Sequence, residues 1–168
     1  LALNTEYTLD EIIRYMIVYS DNRAIDMLAA WLDERGEDHE IIRRTLSDLG
    51  IVGYEASLAD SKITVKQYAS IFRILFNASY LNPQMSERAL TLLEQSEFSE
   101  GLTAKLPKNI NVAHKFGVRA YMEGEQQLHD CCIVYFEPSP YMICIMTRGK
   151  DYKDLSEYII YTSKEVFD

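Results

Sequence analysis

Two short clusters place side chains capable of polar chemistry in one chain: Ser20-Asp21-Asn22 near the start and Lys115-Phe116-Gly117 far downstream. A serine hydroxyl both donates and accepts hydrogen bonds, so it can pass a proton, and a lysine ammonium can hold a carboxylate. Each cluster also has a plainer use. Ser-Asp-Asn between two helices caps one of them, and a lysine on a strand edge keeps that edge soluble. His39, His114 and His129 lack an H-x-x-x-H spacing, so no metal is assigned, and no other cofactor is implied. His114 and Lys115 are neighbours on a strand candidate and point to opposite faces. Asp130, at the head of a later strand, suits an internal polar contact better than catalysis. Cys131, Cys132 and Cys144 lie in apolar, strand-like stretches without C-x-x-C spacing, and read as core thiols. A pairing of Cys144 with one of the other two stays open, because adjacent residues on a strand face opposite sides and at most one can meet it.

The elements that must position these groups follow from periodicity and caps. Thr8-Leu9-Asp10-Glu11 is a capping box, and Leu9, Ile12, Ile13, Met16 and Ile17 repeat at helical spacing, predicting a helix from Leu9 to Tyr19. Ser20-Asp21-Asn22 interrupts it before Ala24, Ile25, Met27, Leu28 and Trp31 resume an apolar stripe. A third helix is expected from His39 to Leu49, stopped by Gly50. Gly53 to Lys62 reads as a loop ending at a second capping box, Thr64-Val65-Lys66-Gln67, with a helix from Val65 to Asn77 behind it. Pro83 opens a further helix to Gln95. The period then changes. Asn111 to Val118, Gln127 to Phe136 and Tyr141 to Thr147 are strand candidates, the last two joined by Glu137-Pro138-Ser139-Pro140 as a tight hairpin. Met122 to Glu125 turns the first pair, and Tyr152 to Val166 forms a closing helix with one apolar face. Helices first and an antiparallel sheet afterwards make an α+β architecture.

At 168 residues the chain has the length of one domain with a sizeable core. Its 17 Lys and Arg against 26 Asp and Glu give a net charge of -9, and no basic cluster could follow a phosphate backbone, so nucleic acid is excluded as a partner. No apolar run is long enough to span a bilayer. The opening Leu1-Ala2-Leu3-Asn4 has neither an initiator Met nor a charged head before an apolar stretch, so an excised piece is expected.

The order Ser20-Asp21-Asn22, then Lys115-Phe116-Gly117 on a strand leading a hairpin, resembles the class A β-lactamase and penicillin-binding protein superfamily. That family combines S-x-x-K, S-D-N and K-T-G or K-S-G. The resemblance covers nearly the whole chain. It implies a partial β-lactamase/transpeptidase-like fold: one incomplete domain over residues 1–168, a helical subdomain over 7–100, and an antiparallel sheet with a C-terminal helix over 110–168. It further implies that Ser20 relays a proton, Lys115 holds that serine and attracts a substrate carboxylate, and Asn22 bonds the substrate's amide side chain. Gly117 would admit close approach of substrate to the strand backbone, and Val118 would offer its N–H to an oxyanion. The family works on cell-wall material, so an extracytoplasmic location, periplasmic or at the cell surface, is implied.

Three departures shape the expected function. No serine is followed three places on by lysine, so the S-x-x-K nucleophile is expected upstream of Leu1, together with the first strands of the sheet. Phe116 stands where Thr or Ser would bond the substrate carboxylate. Glu55-Ala56-Ser57-Leu58-Ala59 matches the deacylating E-x-x-L-N pattern only in part, which leaves Glu55 a general-base candidate without its orienting Asn. The first expectation is therefore the C-terminal portion of a serine hydrolase acting on β-lactams or cell-wall D-alanyl peptides, inactive by itself. A non-catalytic domain gripping a peptide or glycan is the alternative, and a penicillin-interacting peptidase that releases slowly is a third. Loss of neighbouring strands would leave the Tyr141–Thr147 edge open to a companion N-terminal fragment or to a second copy.

Overall fold

The computed structural model describes residues 1–2, 5–36, 39–51, 63–122 and 124–168. Local signals dictate the helices. In α1 (Leu9–Val18) the Thr8 hydroxyl accepts the Glu11 N–H while the Glu11 carboxylate accepts the Thr8 N–H at 2.8 Å. Asp21 caps α2 (Asn22–Asp33) by accepting the Arg23 N–H at 2.9 Å. After α3 (His39–Asp48), Gly50 takes φ +75° while the Ile51 N–H reaches back to the Leu46 carbonyl, a conformation that glycine adopts without steric cost. The Thr64–Gln67 box starts α4 (Val65–Phe76), and Asn82 with Pro83 starts α5 (Pro83–Glu94). Loss of one such cap costs about 1 kcal/mol. The loop expected over Gly53 to Lys62 lies within 52–62, outside the described residues.

Three antiparallel strands follow, in spatial order β1-β2-β3: β1 (Val112–Ala120), β2 (Gln126–Val134) and β3 (Tyr141–Gly149). The first strand runs on past Val118 to Ala120, and the second stops at Val134 rather than Phe136. The β2–β3 connection is therefore Tyr135 to Pro140, longer than the expected tight hairpin. Helix α6 (Tyr152–Phe167) closes the chain. The pleat sorts side chains onto two faces. On one, Val112, Leu128, Cys132 and Val134 pack with Leu102, Leu106 and the Leu155 and Ile159 side chains of α6. On the other, Ala113, Cys131 and Ile133 pack with Phe72 of α4 and Leu90 and Leu93 of α5. The sheet thus separates α6 from α4 and α5.

One expectation is corrected here: only Cys132 is a free, buried thiol, whereas Cys131 and Cys144 form a disulfide. The register decides which cysteine pairs. Cys131 stands directly opposite Cys144 on the α4–α5 face, and Cys132 points the other way, where burial pushes its thiol pKa up. Among the described residues β3 pairs only with β2, so its outer edge has no strand beside it.

Candidate functional site

The turn between α1 and α2 brings Ser20 to the edge strand. Ser20 has φ 53°, a left-handed conformation uncommon for a residue with a side chain, and the turn is held by Asp21 N–H donating to the Tyr15 carbonyl at 3.2 Å. Just beyond, Ala24 is fully buried and anchors the first turn of α2. Lys115 donates from Nζ to Ser20 Oγ at 2.5 Å, joining residues 95 positions apart. A second clamp comes from α4, where the Tyr68 hydroxyl donates to the Lys115 carbonyl at 2.6 Å. The half-buried ammonium is held down to a pKa of about 8 by burial, with the Asp130 carboxylate acting in the opposite direction. Burial also pushes the Tyr68 hydroxyl up, so Tyr68 stays a neutral donor.

The aromatic ring of Phe116 lies flat on Phe98, with centroids 3.9 Å apart and planes 14° from parallel. Lys115 Nζ sits 4.9 Å from the Phe116 centroid, within the range of a cation–π contact. Val118 is 51% exposed, and a side chain added at Gly117 would meet nothing within 4 Å. The glycine therefore leaves open space along the strand rather than filling a packing need. Asn22 is exposed at the first position of α2. Glu55 lies outside the described residues. Ser20 and Lys115 are thus brought into contact, while Phe116, Gly117 and Val118 continue along the same strand edge.

Behind the edge is a buried polar pair. Asp130 is fully buried, accepts the Leu102 N–H at 2.9 Å on Oδ2, and faces His114 Nδ1 at 3.2 Å on Oδ1. Gly101 makes this approach possible. A Cβ there would lie 2.3 Å from Asp130 Oδ2 and 2.7 Å from the Phe98 ring. The internal contact expected of Asp130 is present, with His114 and the Leu102 backbone as its partners. Nothing local in the sequence marks Tyr68 or Phe98 as part of this arrangement, and Gly101 reads only as a breaker of the helical run. A tyrosine in an amphipathic helix and a glycine after a helix carry no local mark of a partner far away in the chain.

Among the described residues no group of three His, Cys, Asp or Glu could hold a metal, and no helix is long and apolar enough to cross a membrane. A serine hydroxyl bonded to a partly desolvated ammonium can shuttle a proton, and the same cation beside open strand edge can hold an anion.

Comparison with known proteins bears on the family and the fold. A model of the beta-lactamase enzyme family matches residues 1–168. The structure is similar to that of PBP-A, with a TM-score of 0.80, 21% identity, and coverage of 99% of this chain and 63% of that one. A PBP-A variant described as an acyl-enzyme complex with penicillin G matches with TM-score 0.79 and 19% identity, covering 99% and 63%. The beta-lactamase from Sphaerobacter thermophilus matches with TM-score 0.80 and 17% identity, covering 99% and 65%. The chain spans less than two thirds of the length of each of these. No curated protein sequence matches it.

Proposed function

Because the chain belongs to the beta-lactamase enzyme family, we propose that it is the S-D-N to C-terminal portion of a serine hydrolase that acts on β-lactams or cell-wall D-alanyl peptides. The acylated serine belongs to an upstream S-x-x-K segment. The observation that carries this proposal is the 2.5 Å contact from Lys115 Nζ to Ser20 Oγ. Ser20 passes the nucleophile's proton toward the leaving nitrogen, and Lys115 holds that hydroxyl in place and attracts the substrate carboxylate. Gly117 admits the substrate against the strand, Val118 lends its N–H to the oxyanion, and Asn22 bonds the substrate's amide side chain. Glu55 is the general base for deacylation. Such substrates lie outside the cytoplasm, and an extracytoplasmic location is part of the same proposal.

The test is acylation of the full-length protein by a fluorescent penicillin, followed as a covalent mass increase. Lys115→Ala is expected to lower the acylation rate constant by about 10²-fold or more, the range lost with one transition-state hydrogen-bond donor. An unchanged rate would remove Lys115 from the site. The Phe116–Phe98 stack favours a second proposal, a domain that binds a peptide or glycan without cleaving it. Saturable binding with no acylation selects it, whereas acylation without turnover selects a slow penicillin-interacting peptidase. The open edge of β3 offers its backbone to a companion N-terminal fragment or to a second copy. A monodisperse monomer in sedimentation, unaltered by adding that fragment, would rule out both.

A further inference from the structure

Beyond Gly117 the sheet face that carries Lys115 opens into a cavity of about 420 Å³, lined among others by Gly117, Arg119, Tyr121, Gln127, His129 and Arg148. We propose that this cavity is a second anion site, one that takes a carboxylate placed on the far side of the ligand from the group held at Lys115. That the ligand is an acyl donor rests on the hydrolase proposal above; that the cavity binds a carboxylate does not.

Register builds the site. Gly117 pairs with His129 and His129 with Met146, while Arg119 pairs with Gln127 and Gln127 with Arg148. Directly opposed residues share a face, and alternate residues return to it, so these two rows continue the row Lys115–Cys131–Cys144. At a strand rise of roughly 3.3 Å per residue, the arginine row lies roughly 13 Å from the lysine row. In a chain with 26 acidic and 17 basic residues, two guanidinium groups are thereby set on the wall of one cavity. Both are steered by the same ring: Arg119 and Arg148 lie 5.4 Å and 5.5 Å from the Tyr121 centroid. Glu125 accepts from both Nε, at 2.9 Å, and Nη2 of Arg148, and this ion pair orients the fork; five donors in a fixed plane leave the guanidinium able to serve a second carboxylate.

His129 lies between the arginines and Gly117, and because its Nε2 faces an amide oxygen the neutral ring donates there and keeps Nδ1 as an acceptor. Its Nε2 lies 3.3 Å from Gln127 Oε1, its buried Nδ1 meets no hydrogen-bond partner among the described residues, and burial holds the imidazole below its ordinary pKa. A ligand carboxylate bridging the two arginines would lie in the same cavity as that ring, which makes the imidazole a reporter of binding, while the arginines supply the donors. Substrates with a carboxylate on the acyl side are therefore preferred over their neutral analogues.

The test uses the chain itself, with the imidazole signals of His129 and His114 followed by NMR during titration with succinate or with uncharged succinamide. Succinate is expected to shift the His129 signal to saturation while succinamide does not. Arg119→Gln and Arg148→Gln should each weaken binding at least tenfold, and an unmoved signal from the buried His114 shows that each variant is folded. Equal shifts with succinamide, or undiminished succinate affinity in the folded double variant, overturn the proposal. In the full-length protein, acylation by benzylpenicillin without succinate binding in the chain leaves the hydrolase proposal standing and rejects this site. Succinate binding with no acylation does the reverse.

Discussion

Neighbouring residues of β1 face opposite sides of the sheet and meet opposite fates. His114 is 2% exposed and faces a carboxylate that is itself fully buried and bonded to the Leu102 N–H. Lys115, one residue on, is only half-buried, and its ammonium is shared between a hydroxyl and the face of an aromatic ring. The first arrangement ties β1, β2 and the Gly101–Leu102 segment together, with the carboxylate fully closed off from solvent. The second leaves a cation desolvated enough to matter and open enough to be used. A buried polar group with every partner supplied by the chain serves structure, whereas a half-buried one on a strand edge is what the proposed ligand site needs.

The largest test of that contrast is Asp130→Ala. Removing one member of a buried pair leaves its partners unsatisfied, so a loss of about 3–5 kcal/mol is expected in urea unfolding. A loss under 1 kcal/mol would show that the pair is not structural. The disulfide comes next. It closes a loop with a sequence separation of 13, and its reduction is expected to cost about 3 kcal/mol. Alkylation under non-reducing conditions should label one cysteine of the three in the unfolded chain; labelling of all three would remove the Cys131–Cys144 link.

The smallest effect belongs to Lys115, and it has the opposite character. Its folded pKa of about 8 lies below the ordinary 10.5, so between those values the unfolded chain holds more of this proton. Its contribution to stability therefore rises with pH across that window, being fully present above 10.5 and lost as pH falls through about 8. The anion capture proposed for the ammonium would run the other way and fade above about pH 8. Asp130→Asn, which keeps the shape and removes the charge, should lower the Lys115 pKa further. Titration of ¹³C-labelled lysine by NMR checks both statements, and an unshifted pKa in the variant would uncouple the two faces of β1.

Much of the frame was legible beforehand because its signals are local. Thr8 with Glu11, Thr64 with Gln67, and Pro83 each satisfy or pre-arrange backbone within one turn of themselves, so helix starts can be read from neighbours in the chain. Strand ends were less legible. Whether Arg119 and Ala120 stay in the ladder depends on Gln127 and Gln126 across from them, not on their own types. The contact of Ser20 with Lys115 was legible only through a family resemblance, since nothing in either tripeptide names the other.

The sequence by itself determined the α+β order, the helix caps, the opposite facing of His114 and Lys115, and the absence of any serine followed three places on by lysine. Those properties depend on residue type and short spacing. Only the tertiary structure decided that Cys131 rather than Cys132 pairs with Cys144, that Tyr68 clamps Lys115, that Gly101 makes room for Asp130, and that two arginines share one cavity wall. Each of these depends on which side chains strand register and helix packing bring within a few ångströms of each other, and that distance is set by the assembled core.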